Sequence, residues 1–168
     1  LVNNLDENEL ADILWKFGEE RYSRRIAGAI VNERPIHNTN DLVRVIKTAV
    51  PGYESHIHPA TRTFQALRIA TNRELETISS SLPGLVDCLN PGGRIAVISF
   101  HSLEDRIVKQ FFKQESKDCI CPPEQPICTC GHIASINIIT KKPIRASVEE
   151  INKNPRARSA RLRVAQKK

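Results

Sequence analysis

The sequence predicts an α/β fold in which a small all-helical unit precedes part of a sheet. The turn Asn90–Gly93 leads into the short apolar run Arg94–Phe100, which is typical of a strand buried on both faces. Residues 1–52 show only helical periodicity, whereas 133–140 and 160–164 have the pattern of strands. One central strand and two later ones make up only part of an α/β sheet.

Three helices are predicted in residues 1–52. Gly18 is expected to end the first helix, the second runs from about Glu19 to Asn32, and Thr39 or Asn40 caps the third. The apolar residues that recur at helical spacing in the first helix are Leu10, Ile13, Leu14 and Phe17.

Residues 53–58 are predicted to form a linker whose two histidines, His56 and His58, are expected to be solvated rather than metal-bound. Pro59 fits the first turn of one long helix, which Pro83–Gly84 is expected to break. The residues predicted to face inward along this helix are Phe64, Leu67, Thr71, Leu75, Ile78 and Leu82.

A polar turn follows the central strand, where sites collect beyond the carboxyl ends of strands in open α/β sheets. Its candidate site residues are His101, Ser102, Glu104, Asp105 and Arg106. Ser102 with Asp105 three residues later is also typical of a helix N-cap followed by a first-turn acid. The turn therefore has two interpretations, a site and a helix cap.

The chain is basic, with a net charge of +6 and a pI of about 9.2. Such an excess suits a polyanionic partner such as nucleic acid, although a basic surface without a dedicated partner explains it equally. The densest positive cluster lies near the end of the chain and comprises Arg156, Arg158, Arg161, Arg163, Lys167 and Lys168. Ala160, Leu162 and Val164 alternate with Arg161, Arg163 and Gln166, which predicts an edge strand whose basic residues either bind RNA or discourage aggregation.

Four of the five cysteines lie in one proline-rich segment as two Cys-x-Cys pairs: Cys119, Cys121, Cys128 and Cys130. They are candidate ligands for a tetrahedral zinc ion, against the alternative of a reduced loop that its prolines stiffen. Cys88 stands among apolar neighbours and is expected to be a small core residue.

Several classes of protein and site are disfavoured. No apolar run approaches a membrane span and the first residues lack the pattern of a signal peptide, so we expect a cytoplasmic protein without membrane contact. The chain has no methionine and begins with Leu1, and we expect a fragment of a longer protein. Its seven glycines include no Gly-x-Gly, which leaves no glycine-rich nucleotide loop.

Four motifs in order along the chain resemble the MraW-type ribosomal RNA small subunit methyltransferase H family: Gly18–Ala27, Thr61–Ile69 with Asn72 and Glu74–Leu75, Ser99–Arg106, and Asn154–Ala160. The resemblance implies methyl transfer from S-adenosylmethionine to the exocyclic N4 of a cytidine in small-subunit ribosomal RNA. It also implies a Rossmann-like, seven-stranded class I methyltransferase sheet interrupted by an inserted helical domain.

On this resemblance, residues 1–52 are most of the inserted substrate-recognition domain, and residues 59–168 are the C-terminal part of the methyltransferase domain. That part carries the fifth strand and the sixth and seventh strand pair. The residues that bind the cofactor are expected upstream of Leu1, which puts independent activity of this chain in doubt.

The resemblance, with the position of the polar turn, makes His101 and Glu104 the catalytic candidates, either of which is expected to contact the base or the polar groups around it. The partner is small-subunit ribosomal RNA or the 30S particle, and the oligomeric state is open, a homodimer included. The residues expected to contact RNA are Arg21, Arg24, Arg25, Arg62, Arg68, Ser102, Arg106, Arg156 and Arg158.

Two other functions compete with this one. A non-catalytic RNA-binding or assembly module accounts for the basic charge and the missing cofactor loop. Half of a nicotinamide-dependent dehydrogenase would share a doubly wound sheet, but the helical insertion and the antiparallel end disfavour it.

Overall fold

The computed structural model describes residues 1–50, 58–125 and 127–168, which form two compact units, Leu1–Glu74 and Leu75–Lys168. Most of the predicted linker, including His56, therefore lies outside the described residues. The elements in chain order are α1 Glu7–Gly18, α2 Ser23–Asn32, α3 Thr39–Ala49, α4 Thr61–Asn72, α5 Glu74–Asp87, β1 Arg94–Ser99, α6 Ser102–Glu115, β2 Ile136–Ile138, β3 Ile144–Arg145, α7 Val148–Lys153, a 3₁₀ turn Pro155–Ser159 and β4 Arg161–Lys167.

The first unit is helical and its three predicted helices are confirmed as α1, α2 and α3. Asp6 caps α1 by accepting a 2.8 Å hydrogen bond from the Glu9 amide, and Glu9 accepts one from the Asp6 amide. Leu10, Leu14 and Ile26 are fully buried where α1 packs against α2. Burial of these side chains supplies most of the stability of such short helices.

The predicted helix ends in this unit are partly wrong. Glu19, not Gly18, takes the left-handed conformation after α1, with φ of 49°. The second helix begins only at Ser23, and the cap of the third is Asn38, which accepts bonds from two amides. Gly18 has another role, since a Cβ there would lie 2.7 Å from the Arg62 carbonyl oxygen where α4 passes.

The single long helix predicted from Pro59 is two helices, because Arg73 adopts a left-handed conformation with φ of 52°. Helix α4 packs against α1, so the first compact unit extends to Glu74, beyond the residue 52 suggested by the sequence. The predicted inward row is confirmed only in part in α4: Phe64 and Leu67 are half-buried against the helical core, but the fully buried side chains are Thr63, Ala66 and Ile69. Contact with the α1 backbone near Gly18 selects this face.

Pro83 and Gly84 do not break α5, which continues through them to Asp87. Leu82 and Val86 are buried on either side of the proline in the core of the second unit. Their burial outweighs the amide hydrogen bond that the proline cannot donate. Cys88, predicted to lie in the core, is exposed because Val86 occupies the buried position of this turn.

The second unit contains a small antiparallel sheet with the order β1-β4-β2, and β3 also pairs with β4. β4 is central, and its residues Arg163 and Ala165 lie opposite Val97 and Ile95 of β1. Helices α5 and α6 cover one face of this sheet, with Phe112 at the centre of the core. The strands predicted in 94–100, 133–140 and 160–164 are confirmed as β1, β2 and β4.

β1 is buried on one face only, contrary to prediction. Ile95 and Ser99 are buried, but Ile98 is 59% exposed, and Phe100 just beyond the strand is 56% exposed. Among the described residues, β1 pairs with β4 alone and so forms an edge of the sheet. Apolar edges of this kind are usually covered or paired in a complete protein.

Within the described part of the chain, no helix has the length and apolarity required to cross a membrane.

Candidate active-site turn and basic surfaces

The junction between β1 and α6 is a helix cap built from His101 and Glu104. His101 has extended backbone angles, and its Nδ1 accepts a 3.4 Å hydrogen bond from the Glu104 amide. Glu104 Oε2 accepts hydrogen bonds from the amides of Phe100 at 2.7 Å and His101 at 3.2 Å. The N-cap is therefore His101 rather than Ser102, which is the first residue of α6.

The same two side chains also face each other, with His101 Nε2 3.3 Å from Glu104 Oε1. Both are largely buried, at 8% and 17% side-chain exposure. Burial raises the pKa of Glu104, but hydrogen bonds from His101 and from the Phe100 amide outweigh it, so that the pKa is lowered overall. Glu104 is consequently a carboxylate at neutral pH and acts as a hydrogen-bond acceptor.

Asp105 is buried and belongs to the core rather than to the turn. Its carboxylate accepts bonds from Arg163 Nε at 2.6 Å, Arg163 Nη2 at 3.1 Å and Arg161 Nη1 at 3.1 Å. The Arg163 hydrogen bond lowers the pKa of Asp105, against the opposing effect of burial and with help from Arg161. The ion pairs join α6 to β4, which lies inside the sheet, so the prediction of an edge strand is wrong. The simple alternation of residues along β4 gave no sign of this pairing.

The predicted RNA-contacting arginines of the helical unit differ in how they are held. Arg24 and Arg25 are exposed on α2, and the Arg21 guanidinium lies 4.7 Å from the centre of the Tyr22 ring. Arg62 Nη1 donates a 3.2 Å hydrogen bond to the Glu19 carbonyl just after α1. Arg62 thus lies beside the segment that carries Arg21.

Arg68 forms a two-pronged ion pair with Glu74, at 2.9 and 3.0 Å. It also lines an open groove of about 560 Å³ in the helical unit, together with Phe64 and Asn72. An aromatic ring, a guanidinium and an amide on one groove are groups that can stack on and hydrogen-bond to a nucleobase.

Ion pairing with Asp105 separates the predicted basic cluster near the end of the chain into paired and exposed arginines. Arg161 and Arg163 are ion-paired, whereas Arg156 and Arg158 are exposed on the 3₁₀ turn before β4. Arg106 and Ser102, the other predicted RNA contacts in this unit, lie on the first turns of α6, where Arg106 is exposed.

The four clustered cysteines converge although nothing in the structure links them covalently. The Sγ–Sγ distances are 4.0 Å for Cys121–Cys128, 3.5 Å for Cys128–Cys130 and 3.9 Å for Cys130–Cys119. Hydrogen bonds from the amides of Ile120 and His132 lower the pKa of Cys130 to about 6. The Cys121 amide lowers the pKa of Cys119, but hydrogen bonds with the neighbouring thiols outweigh it and raise that pKa to about 12, so the four potential metal ligands differ in how readily they lose a proton.

Comparison with known proteins identifies the family. The model of the MraW methylase family matches residues 1–168. The chain belongs to this family. A relative from Heliobacterium mobile is 55% identical over 99% of this MraW chain, and one from Dehalococcoides mccartyi is 53% identical over 99%. Both relatives are named "Ribosomal RNA small subunit methyltransferase H".

The alignments cover 55% of the Heliobacterium protein and 48% of the Dehalococcoides protein, so the MraW chain spans about half the length of these curated relatives. A relative from Brevibacillus brevis has the same name and is 52% identical, and the alignment covers 55% of its length. The family match includes both compact units, and hence the β1–α6 turn, the helical groove and the cysteine cluster.

Proposed function

We propose that this chain acts within an S-adenosylmethionine-dependent enzyme that methylates the exocyclic N4 of a cytidine in small-subunit ribosomal RNA. The family match across both compact units is the observation that carries the proposal. The names of the relatives support an RNA substrate. The position of a polar turn at the carboxyl end of β1 supports a site at that edge of the sheet.

The proposed reaction demands orientation above all. The lone pair of a cytosine amino group is delocalised into the ring, so the base must be extruded and its nitrogen held in line with the methyl donor. His101 is the residue that we place against the base. Glu104 is the positioning residue, because its carboxylate holds the His101 ring and the two amides that precede α6. Its lowered pKa suits this role better than that of a general base.

The described residues do not by themselves fit a complete S-adenosylmethionine site. The chain has no Gly-x-Gly, Asp105 is occupied by two arginines, and Glu104 is occupied by the helix cap. In this proposal, residues outside the chain bind the cofactor. The half-length alignments and the partly exposed edge strand β1 support this arrangement.

We further propose that the sheet is the C-terminal part of a seven-stranded methyltransferase sheet, with β1 as its fifth strand. The helical residues 1–52 would belong to an inserted substrate-recognition domain. Further strands paired with β1 would occupy its open backbone edge.

Exposed arginines are proposed to hold the phosphates of ribosomal RNA or of the 30S particle. Arg24 and Arg25 present their guanidinium groups on α2, and Arg156 and Arg158 present theirs on the 3₁₀ turn. Arg62, Arg68 and the rest of the predicted set are secondary candidates, because Arg62 and Arg68 already bond to protein groups.

Cofactor binding provides the first test. Isothermal titration of S-adenosylmethionine into this chain, and into the chain extended upstream through a glycine-rich segment, is expected to show binding only to the extended protein. The extended protein should then form N4-methylcytidine in unmethylated 30S particles, detected by mass spectrometry of nucleosides. Binding of ribosomal RNA by an extended protein that transfers no methyl group would instead support a non-catalytic RNA-binding module.

The arginine contacts can be tested separately in the extended protein. The double variant Arg156→Ala, Arg158→Ala is expected to bind RNA more weakly. The slope of the logarithm of the binding constant against the logarithm of the salt concentration should also become shallower, by about one for each arginine that contacts phosphate. Arg44→Ala is the matched control, since Arg44 is also exposed but is 3.5 Å from Glu33 on the helical unit. Equal salt dependence in the wild type and the double variant would remove these two residues from the interface.

A further inference from the structure

The segment of the four cysteines, residues 119–131, has no core of its own. None of its described residues is buried, Cys121 alone is half-buried, and Ile127 is 74% exposed. Apolar burial therefore cannot order this segment. Small segments without a core are commonly held by disulfides or by a metal.

The spacing of the sulfur atoms distinguishes between these two. A disulfide requires an S–S distance of about 2.05 Å, whereas three of the Sγ pairs lie 3.5 to 4.0 Å apart. Four thiolates around zinc at about 2.3 Å would be separated by about 3.8 Å along each edge of the tetrahedron. All four Sγ atoms lie within 4.8 Å of one another.

We propose that Cys119, Cys121, Cys128 and Cys130 bind one Zn²⁺ ion as a tetrahedral tetrathiolate site. The two Cys-x-Cys pairs each supply two ligands, and between them the Gln125 amide donates a 3.0 Å hydrogen bond to the Pro122 carbonyl, which forms a turn. Because all four positions are filled by protein, the ion has no open position for water or substrate. The site is structural and takes no part in methyl transfer.

Backbone amides around the sulfurs support a thiolate site. The Cys121 amide donates to Cys119 Sγ at 3.4 Å, and the His132 amide donates to Cys130 Sγ at 3.5 Å. Gly131 has φ of 61°, a conformation that glycine adopts without strain and that leaves the next amide free to turn toward the sulfur. Hydrogen bonds of this kind orient ligands and disperse the charge of a metal thiolate.

The base of the segment is already fixed by the protein. The Ser135 amide donates to the Glu115 carbonyl at 2.9 Å, and His132 Nδ1 lies 2.8 Å from the Lys117 carbonyl oxygen. These contacts bring the two ends of the segment together at the end of α6 and the start of β2. Zinc would order the part beyond this closure, which is the part without buried side chains.

The test measures metal in the protein purified with reductant, without chelator, from zinc-supplemented cells. We expect about one zinc per chain by plasma mass spectrometry and loss of most of it in Cys128→Ser. Cys88→Ser is the matched control, because Cys88 is exposed and lies outside the cluster. It is expected to keep the full zinc content, and circular dichroism checks that both variants fold.

Two measurements on the unmutated protein complete the test. Replacement of zinc by Co²⁺ should give the charge-transfer and ligand-field absorption of a tetrahedral thiolate site. Chelation should accelerate hydrogen exchange at the amides of Cys121 and His132, and added zinc should restore their protection. Reduced protein that contains no zinc and shows no cobalt absorption would overturn the proposal, as would disulfides among these cysteines in freshly purified protein.

Discussion

The buried carboxylate of Asp105 offers the sharpest test of how the second unit is held together. Asp105 and Arg163 are only 6% and 7% exposed, and two hydrogen bonds join them, while Arg161 adds a third. Asp105→Asn keeps the shape of the side chain and removes its charge. Arg163 would then be a buried guanidinium without a counter-charge, attached to the central strand β4.

The expected loss follows from this geometry. Removal of one partner from a buried ion pair costs about 3–5 kcal/mol, and we expect the lower end because an amide oxygen still accepts one hydrogen bond. Arg161→Ala is the matched comparison. The Arg161 side chain is 32% exposed and its removal leaves the Asp105–Arg163 pair intact, so we expect a loss of about 1 kcal/mol or less.

The dependence of stability on pH in the acid range provides a second test of the Asp105–Arg163 ion pair. The pKa of Asp105 is lower in the folded protein than the roughly 3.9 of an unfolded chain. Its contribution to the free energy of unfolding is therefore complete at neutral pH, and it is lost as the pH falls below about 4 toward the folded pKa. The D105N variant should lack this part of the acid dependence.

Urea unfolding followed by circular dichroism, at neutral pH and through the acid range, measures both effects. A D105N variant within about 1 kcal/mol of the wild type at neutral pH, with an unchanged acid dependence, would refute the reasoning. Such a result would mean that water or another group satisfies Arg163 without the carboxylate.

Two further predictions follow from close packing and from the helix cap. Gly18→Ala should destabilise the protein by about 1–3 kcal/mol, because the new Cβ would lie 2.7 Å from the Arg62 carbonyl oxygen. Gly84→Ala should stabilise α5 by up to about 1 kcal/mol, because no atom lies within 4 Å of the new Cβ. Thermal unfolding of both variants checks that the two effects have opposite signs. His101→Ala should lower the free energy of unfolding by about 1 kcal/mol through loss of the α6 cap. His101→Asn should restore that stability but not methyl transfer by the extended protein. If Asn restored both, His101 would serve only as a helix cap.

Much of the fold could be predicted from local patterns. The helical face of α1 and the strand after Pro91–Gly93 were both predicted, because their spacing and turn residues agree with the tertiary structure. The errors occur where a distant part of the chain decides the outcome. Pro83 lies inside a helix because the side chains on either side of it are buried, which no local rule reveals.

The candidate site, like the fold, was predicted only where local patterns decide the structure. The sequence placed polar residues after β1, but assigned the cap to Ser102 because serine is a commoner cap than histidine. The buried position of Arg163 depends on β4 lying between β1 and β2, a topology that the alternation of residues cannot specify. The convergence of the four cysteines was, by contrast, accessible to sequence reasoning, because both Cys-x-Cys pairs lie in one short segment that the Ser135–Glu115 hydrogen bond closes.

The pairing of Asp105 changes how the basic charge of the chain should be interpreted. A net charge of +6 predicts affinity for a polyanion, but charge count does not tell which cations face solvent. Arg161 and Arg163 neutralise a carboxylate inside the protein, and Arg68 is paired with Glu74. The exposed arginines that precede β4 stand on a turn anchored to the strand that these ion pairs fix. In the proposed function, loss of Asp105 would therefore weaken RNA binding only by unfolding the second unit, whereas loss of the exposed arginines would weaken it with the fold intact.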